Sequence, residues 1–218
     1  MQAIRLNPEE IIQTYTLNAP VYDLWAALTE RHARDYAINL AAIQNGEHIL
    51  EVAVGTGLTL DEIAKRNPDG QTAGIDLTPT MLKRAQARMT QHHRQGVSLQ
   101  VGNAEQLDFP DQHFDLLVNN YLFDLLPEER FIPVLREFRR VLKPTGRLVL
   151  TNMALGQKRS HRLYEWIYRL NPRFMGGCRG IDLSAALNSA GFRIEHQHYL
   201  TQLGFPSELF LATPLVSA

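Results

Sequence analysis

Residues 51–64 read EVAVGTGLTLDEIA: an apolar run tipped by Glu51, a turn built on Gly55 and Gly57, and then a helical pattern. A glycine turn between a strand and a helix aims backbone N–H groups at a ligand, and several ligand classes use it. Cradling a nucleoside triphosphate needs Gly-x4-Gly-Lys-Ser/Thr, yet the first lysine after Gly57 is Lys65. A dinucleotide turn needs a third small residue to press its helix against the strand, and Leu60 stands at that place. A nicotinamide-dependent oxidoreductase is therefore disfavoured. Asp76 lies 19 residues beyond Gly57, at the tip of the next apolar run, where a carboxylate can accept from both hydroxyls of a ribose. It also reads as an ordinary acid at the start of a helix. Glu51 adds negative charge, which repels phosphates and suits a cation. A ribose, a positive charge and no diphosphate together describe S-adenosylmethionine.

The elements that must hold these residues follow the hydropathy pattern. Residues 47–54 read as a buried strand bounded by Asn45-Gly46 and Gly55, and residues 58–65 as a helix closed by Asn67-Pro68-Asp69-Gly70. A second strand covers 72–77; Thr78 then caps a helix with Pro79 in its first turn and Met81, Leu82, Ala85 and Met89 along one face. Strands follow at 97–102 and 114–120. Phe131, Val134, Leu135, Phe138, Val141 and Leu142 make a helical stripe, Lys143-Pro144-Thr145-Gly146 stops it, and a fifth strand covers 147–153. Residues 192–200 and 207–215 alternate on either side of Gly204-Phe205-Pro206 and read as a closing hairpin. Residues 9–44 read as largely helical. Strands alternating with helices predict a mostly parallel sheet covered on both faces, with ligands at the carboxyl ends of its strands.

In these segments the chain resembles the class I S-adenosylmethionine-dependent methyltransferases over nearly its whole length. LEVAVGTG is similar to their first motif, with Ala53 where glycine is usual, and GIDLTPTMLKRAQAR to their second-strand segment. VGNAEQLDFPDQHFDLLVNN resembles the adenine-binding segment, with Asn103 where many members have aspartate. LREFRRVLKPTGRLVLTN resembles the helix, turn and strand that close the core, with Thr145 in a glycine's place. The resemblance implies a Rossmann-like seven-stranded, mostly parallel sheet with an antiparallel C-terminal hairpin and a helical N-terminal cap. It implies a single domain: cap 1–45, cofactor-binding core 46–153, substrate-side insertion 154–191 and closing hairpin 192–218. The cofactor residues it implies are Glu51, Ala53, Gly55, Thr56 and Gly57 at the first strand and its turn, Asp76 as the ribose ligand, and Leu77 and Met81 just after it. Asn103, Ala104 and Glu105 would lie over the base, and Asn119 and Asn120 at the fourth strand tip. The spacing looks closest to ubiquinone/menaquinone-type C-methyltransferases and bacterial phospholipid N-methyltransferases. In YTLNAPVYDLW, Tyr15 and Tyr22 would then cover the methionine end of the cofactor, or simply pack the cap.

Methyl transfer from a sulfonium is an in-line displacement, so the enzyme mainly has to align the nucleophile in a dry pocket. Asp124, His32 and His161 are candidates for a general base, each with an equally plain structural reading. No histidine spacing suggests a metal site, and the single cysteine, Cys178, allows no internal disulfide. KRSHRLYEWIYRL, residues 158–170, sets an apolar face against a basic one; such a helix lids a lipid-like acceptor, touches a membrane surface or caps the domain. NPRFMGGCRGIDL beyond it offers Arg173 and Arg179 to an anion, or a glycine hinge. Net charge is −1, yet residues 130–179 hold twelve Lys/Arg and only two acids, which suits an anionic partner or a solvated face balanced elsewhere. Near-zero net charge, with no aromatic-basic platform for a flipped base, disfavours nucleic acid. The N-terminus carries no secretory pattern and no apolar run spans a membrane, so the expectation is a cytoplasmic enzyme, membrane-peripheral at most, with a small-molecule acceptor such as a quinol, phenol or phospholipid headgroup. A binding protein that uses the same turn without catalysis is the alternative.

Overall fold

The computed structural model describes residues 16, 23, 26–156 and 179–215. Tyr15, Tyr22, His161, Arg173, Cys178 and the segment 158–170 lie outside them.

The chain runs α1 (Arg31–Leu40), β1 (His48–Val52), α2 (Leu58–Arg66), β2 (Gln71–Asp76), α3 (Pro79–Gln91), β3 (Val97–Val101) and β4 (Phe114–Asn120). Two 3-10 turns, Phe123–Leu125 and Glu128–Arg130, lead into α4 (Phe131–Val141), β5 (Leu142–Met153), α5 (Ser184–Ser189), β6 (Phe192–Gln202) and β7 (Phe205–Pro214). The seven strands form one sheet in the order β3-β2-β1-β4-β5-β7-β6. The first five are mutually parallel; β7 runs antiparallel to both β5 and β6. This is the predicted Rossmann-like sheet with its antiparallel hairpin.

Register decides which side chains share a face. Glu51 on β1 pairs with Val118 on β4, so Ile49, Glu51, Leu116, Val118 and Asn120 point to one side and Leu50, Val52, Leu117 and Asn119 to the other. The first side packs Ile49, Leu116 and Val118 against Ala37, Ile38 and Ala41 from α1 and its end and Ile63 from α2. The second packs Leu50, Val52, Leu117 and Leu148 against Val134, Leu135 and Phe138 of α4 and Leu187 of α5. Both faces are thereby dry, which is what a parallel sheet requires.

The structure moves one predicted boundary and keeps another. The 143–146 turn does not lie outside the sheet: β5 already begins at Leu142, which pairs with Phe114, and the register slips before Leu116 meets Arg147. The excursion is tight, because a Cβ on Gly146 would sit 2.9 Å from the Lys143 carbonyl oxygen and 3.1 Å from that of Phe114. The predicted stripe is α4, which starts at its first residue, Phe131, directly after the 3-10 turn that follows the extended Pro127.

Candidate active site at the carboxyl end of the sheet

The turn after β1 is a left-handed staircase. Ala53 (φ 61°), Gly55 (φ 53°) and Gly57 (φ 80°) all adopt positive φ. Glycine does this without cost, whereas alanine at that φ loses about 1 kcal/mol. Gly57 is required for a second reason: a Cβ there would lie 2.9 Å from that of Ala85 on α3. Leu60 fits because its partner on β2 is Gly74, where an added Cβ would meet Leu60 Cδ2 at 3.1 Å. Bulk on the helix has thus been matched by the absence of bulk on the strand.

Asp76, at the end of β2, accepts from the Gly55 N–H through Oδ2 (2.8 Å) and from the Thr78 N–H through Oδ1 (2.8 Å). The carboxylate locks the glycine turn to the start of α3, and a carboxylate's further lone pairs leave room for ligand hydroxyls. Burial raises its pKa, and those two N–H groups pull it back.

Glu51 differs. It is only 2 % exposed, and its Oε2 has no hydrogen-bond partner. Burial pushes its pKa well above the ordinary carboxylate range, and the neighbouring Asp76 adds to the rise, while Thr59, Arg34 and Asn120 oppose it. Burial thus works against a charge on Glu51, and an arriving cation would favour its ionised form. Asn120, on the same face, also has an unpartnered Oδ1, its amide donating to Thr59 Oγ1 (3.2 Å). Both residues line a pocket of about 40 Å³ with Glu30, Arg34, Thr56 and Tyr121. That volume takes a small polar head, not a nucleoside. Two bare acceptor oxygens and a guanidinium around one small space suit an ammonium beside a carboxylate.

Glu30, Arg34, Arg88 and Tyr121 were not read from the sequence. Arg34 lies one helical turn beyond Glu30 at the start of α1, and only the packing of α1 onto the sheet brings them to the strand tips. Arg88 on α3 donates from Nε to the Thr56 carbonyl (3.0 Å) and from Nη2 to Asp23 (2.6 Å). Asp23 in turn accepts from the Thr56 hydroxyl (2.5 Å), which fastens the cap to the glycine turn. Asp23 follows Tyr22 in the YTLNAPVYDLW segment, which was the available signal. Tyr121 holds φ 53°, sparse for an aromatic residue, and its hydroxyl meets Ser207 Oγ at 2.8 Å.

Other expected residues divide. Asn119 faces away from the pocket, its Nδ2 donating to the Val52 carbonyl (2.8 Å). Met81 is buried in the first turn of α3, and Leu77 is half-buried above β2. Asn103 is exposed and uses Oδ1 to accept from the Glu105 N–H (3.0 Å), shaping the turn that also carries Ala104. Glu105 pairs with Arg130. His32 is exposed on α1, where its backbone N–H donates to Gln202 Oε1 (2.7 Å). Asp124 is fully buried, with Oδ2 accepting from the Met153 N–H (3.0 Å) and Oδ1 unpartnered. Burial pushes its pKa up to about 8, with Glu30 adding and Arg179 opposing, so it holds its proton at neutral pH and is no ready base. Among the described residues no group of three or more His, Cys, Asp or Glu could hold a metal, and no helix is long and apolar enough to cross a membrane.

Comparison with known proteins agrees with this geometry. A family model described as a methyltransferase domain matches residues 49–146, from β1 through the turn after α4. The demethylmenaquinone methyltransferase of Listeria monocytogenes (serotype 4a, strain HCC23) is 28 % identical over 198 residues, covering 78 % of this chain and 79 % of that protein. A SAM-dependent methyltransferase from Aquifex aeolicus shares the fold with a TM-score of 0.67 at 17 % identity, covering 97 % of this chain and 100 % of its own. The [4+2]-cyclase SpnF shares it with a TM-score of 0.77 at 17 % identity, covering 98 % of each chain. Turn, strand order and matched domain converge on the class I S-adenosylmethionine-dependent methyltransferases, and among them the chain is similar to the menaquinone-type C-methyltransferases.

Proposed function

We propose that the enzyme transfers the methyl group of S-adenosylmethionine to a small, apolar or lipid-like acceptor: a quinol, a phenol or a phospholipid headgroup. The observation that carries the cofactor side is the pair of unpartnered oxygens, Glu51 Oε2 and Asn120 Oδ1, in one pocket with Arg34. On this reading the two oxygens take the ligand ammonium and Arg34 its carboxylate. The turn of Ala53, Gly55, Thr56 and Gly57 shapes the path of the backbone beneath them. Asp76, already set by two N–H groups, offers its remaining lone pairs to the ribose. Leu77, Met81, Asn103, Ala104 and Glu105 border the base. The cofactor supplies an electrophilic methyl on a sulfonium, and the protein holds that methyl in line with the acceptor and keeps water away.

The relative named for demethylmenaquinone supports the quinol version. Incubating the protein with radiolabelled cofactor and separate quinone, phenol and phospholipid fractions tests it; label confined to a polar, non-lipid product overturns the apolar acceptor. For peripheral membrane contact through 158–170, flotation with liposomes is the test, and protein left wholly in the soluble fraction removes that version.

A second reading, a cofactor-binding protein without methyl transfer, rests on the same pocket, since binding and catalysis share it. The cyclase among the structural neighbours shows that this fold also carries another named activity. Titration with S-adenosylhomocysteine and with NAD separates the ligand classes, and the labelled transfer separates enzyme from binder.

A further inference from the structure

The basic run noted in the sequence resolves into pairs with one remainder. Of its seven described Lys/Arg, five meet a carboxylate: Arg130 with Glu105, Arg140 with Glu137 and Asp111, Lys143 with Asp115, Arg147 with Glu47, and Arg179 with Glu128. Arg136 and Arg139 have no carboxylate within 4 Å among the described residues. They sit three apart on α4, so they share a helical face, and both line one open cleft of about 700 Å³.

The cleft lies between α4, the end of α5 and the leading ends of β4 and β5. Asp76 and Asn120 end their strands and Glu51 stands one residue before the end of its own, so the cleft is at the opposite edge of the fold, roughly 20 Å away along a seven-residue strand. Arg139 is fixed there. Its Nη2 donates to the Leu215 carbonyl (2.7 Å), and its guanidinium lies against Gly191, where a Cβ would approach Nε to 3.1 Å. Its Nε is buried and has no partner. Asp111, the one acid lining the cleft, is taken by Arg140 at 2.6 Å, so the remaining field is positive.

We infer that this cleft is an anion site, in which Arg136 and Arg139 bind a phosphate-type oxyanion carried by a soluble phosphorylated molecule or a lipid headgroup. Guanidinium groups match such oxyanions by paired N–H donation, and a held guanidinium loses little freedom on binding. The inference is independent of which acceptor is methylated.

Titration of inorganic pyrophosphate into protein saturated with S-adenosylhomocysteine, at low ionic strength, reads the site directly. Wild type should bind, and Arg136→Glu should weaken binding by about tenfold or more. Arg136 is exposed, so this variant folds without Arg139's buried contacts being touched; Arg139→Ala tests the second donor. Both variants should keep wild-type affinity for S-adenosylhomocysteine. Flotation with phosphatidylcholine vesicles, with and without phosphatidate, distinguishes the sources. Pyrophosphate binding without flotation supports a soluble ligand, and phosphatidate-dependent flotation lost in Arg136→Glu supports a headgroup. Wild type that binds neither probe, or binding that survives both substitutions, overturns the site.

Discussion

At the carboxyl end of the sheet the decisive charged groups are acids, buried, and one of them is short of partners. At the amino end they are bases: Arg140, Lys143 and Arg147 are matched by carboxylates, and Arg136 and Arg139 are not. Glu51 and Asp76 show the first environment at its sharpest. Both are at strand tips and both have raised pKa values through burial, but Asp76 is held by two backbone N–H groups while Glu51 Oε2 is bare. Arg136 shows the second environment, where solvent reaches the group and charge is cheap to keep, with Arg139 held beside it by its bond to the Leu215 carbonyl. The difference teaches that burial works against the charge of an acid here unless a partner supports it, whereas an exposed arginine keeps its charge without one.

Substituting Glu51 should break the comparison most severely. Glu51→Gln should cut affinity for S-adenosylhomocysteine by a hundredfold or more, about 3 kcal/mol, as an ammonium loses its buried counter-charge. Thermal unfolding at neutral pH should be unaffected or raised, because the free carboxyl is strained by burial; calorimetry reads both. The sign with pH follows from the raised pKa. A cationic ligand favours the ionised carboxyl, so wild-type affinity should climb as pH rises toward the raised Glu51 pKa, by at most about tenfold per unit, and Glu51→Gln should flatten that climb.

Asp76→Ala should weaken the same ligand by about tenfold and also destabilise the fold by about 2 kcal/mol, since the N–H groups of Gly55 and Thr78 lose their acceptor. A loss of affinity with unchanged stability would make the two acids equivalent and end the contrast between them.

Asp124 sharpens it by pH alone. Unfolded, its carboxyl ionises near the ordinary value; folded, at about 8. Its contribution to stability is complete below the unfolded pKa and falls by about 1.4 kcal/mol per unit between the two, then levels. Denaturant unfolding of Asp124→Asn should show a shallower decline from pH 5 to 8 than the wild type. The smallest effect belongs to Ala53→Gly, which relieves a left-handed alanine but frees the unfolded chain; the melting temperature should rise by about 1–2 °C.

What the sequence showed was what neighbours in the chain decide. The glycine turn, Asp76 at the next strand tip, the Thr78-Pro79 helix start and the alternating hairpin all rest on spacing within about one element. Arg34 and Arg88 reach the site only after α1 and α3 dock, by contacts that no local pattern records. Asn119 and Asn120 look alike in a row, yet the β1–β4 register sends one to each face, so the adjacent pair could not both line the pocket. The basic run was legible as composition, but its partners Glu47, Glu105 and Asp115 lie 25 or more residues away. Leu60 argues against a dinucleotide in the sequence, yet its fit depends on Gly74 in another strand, a pairing that no local pattern records.

The order β5-β7-β6 carries a consequence for how the chain assembles as it leaves the ribosome. Strand β6 emerges before the strand that seats it, and until β7 follows, the edge of β5 has nothing to bond with. For that interval a nascent polypeptide displays Leu148, Val149 and Leu150 on an open ladder, the kind of edge that invites a second chain. The last-made strand is therefore also the seal.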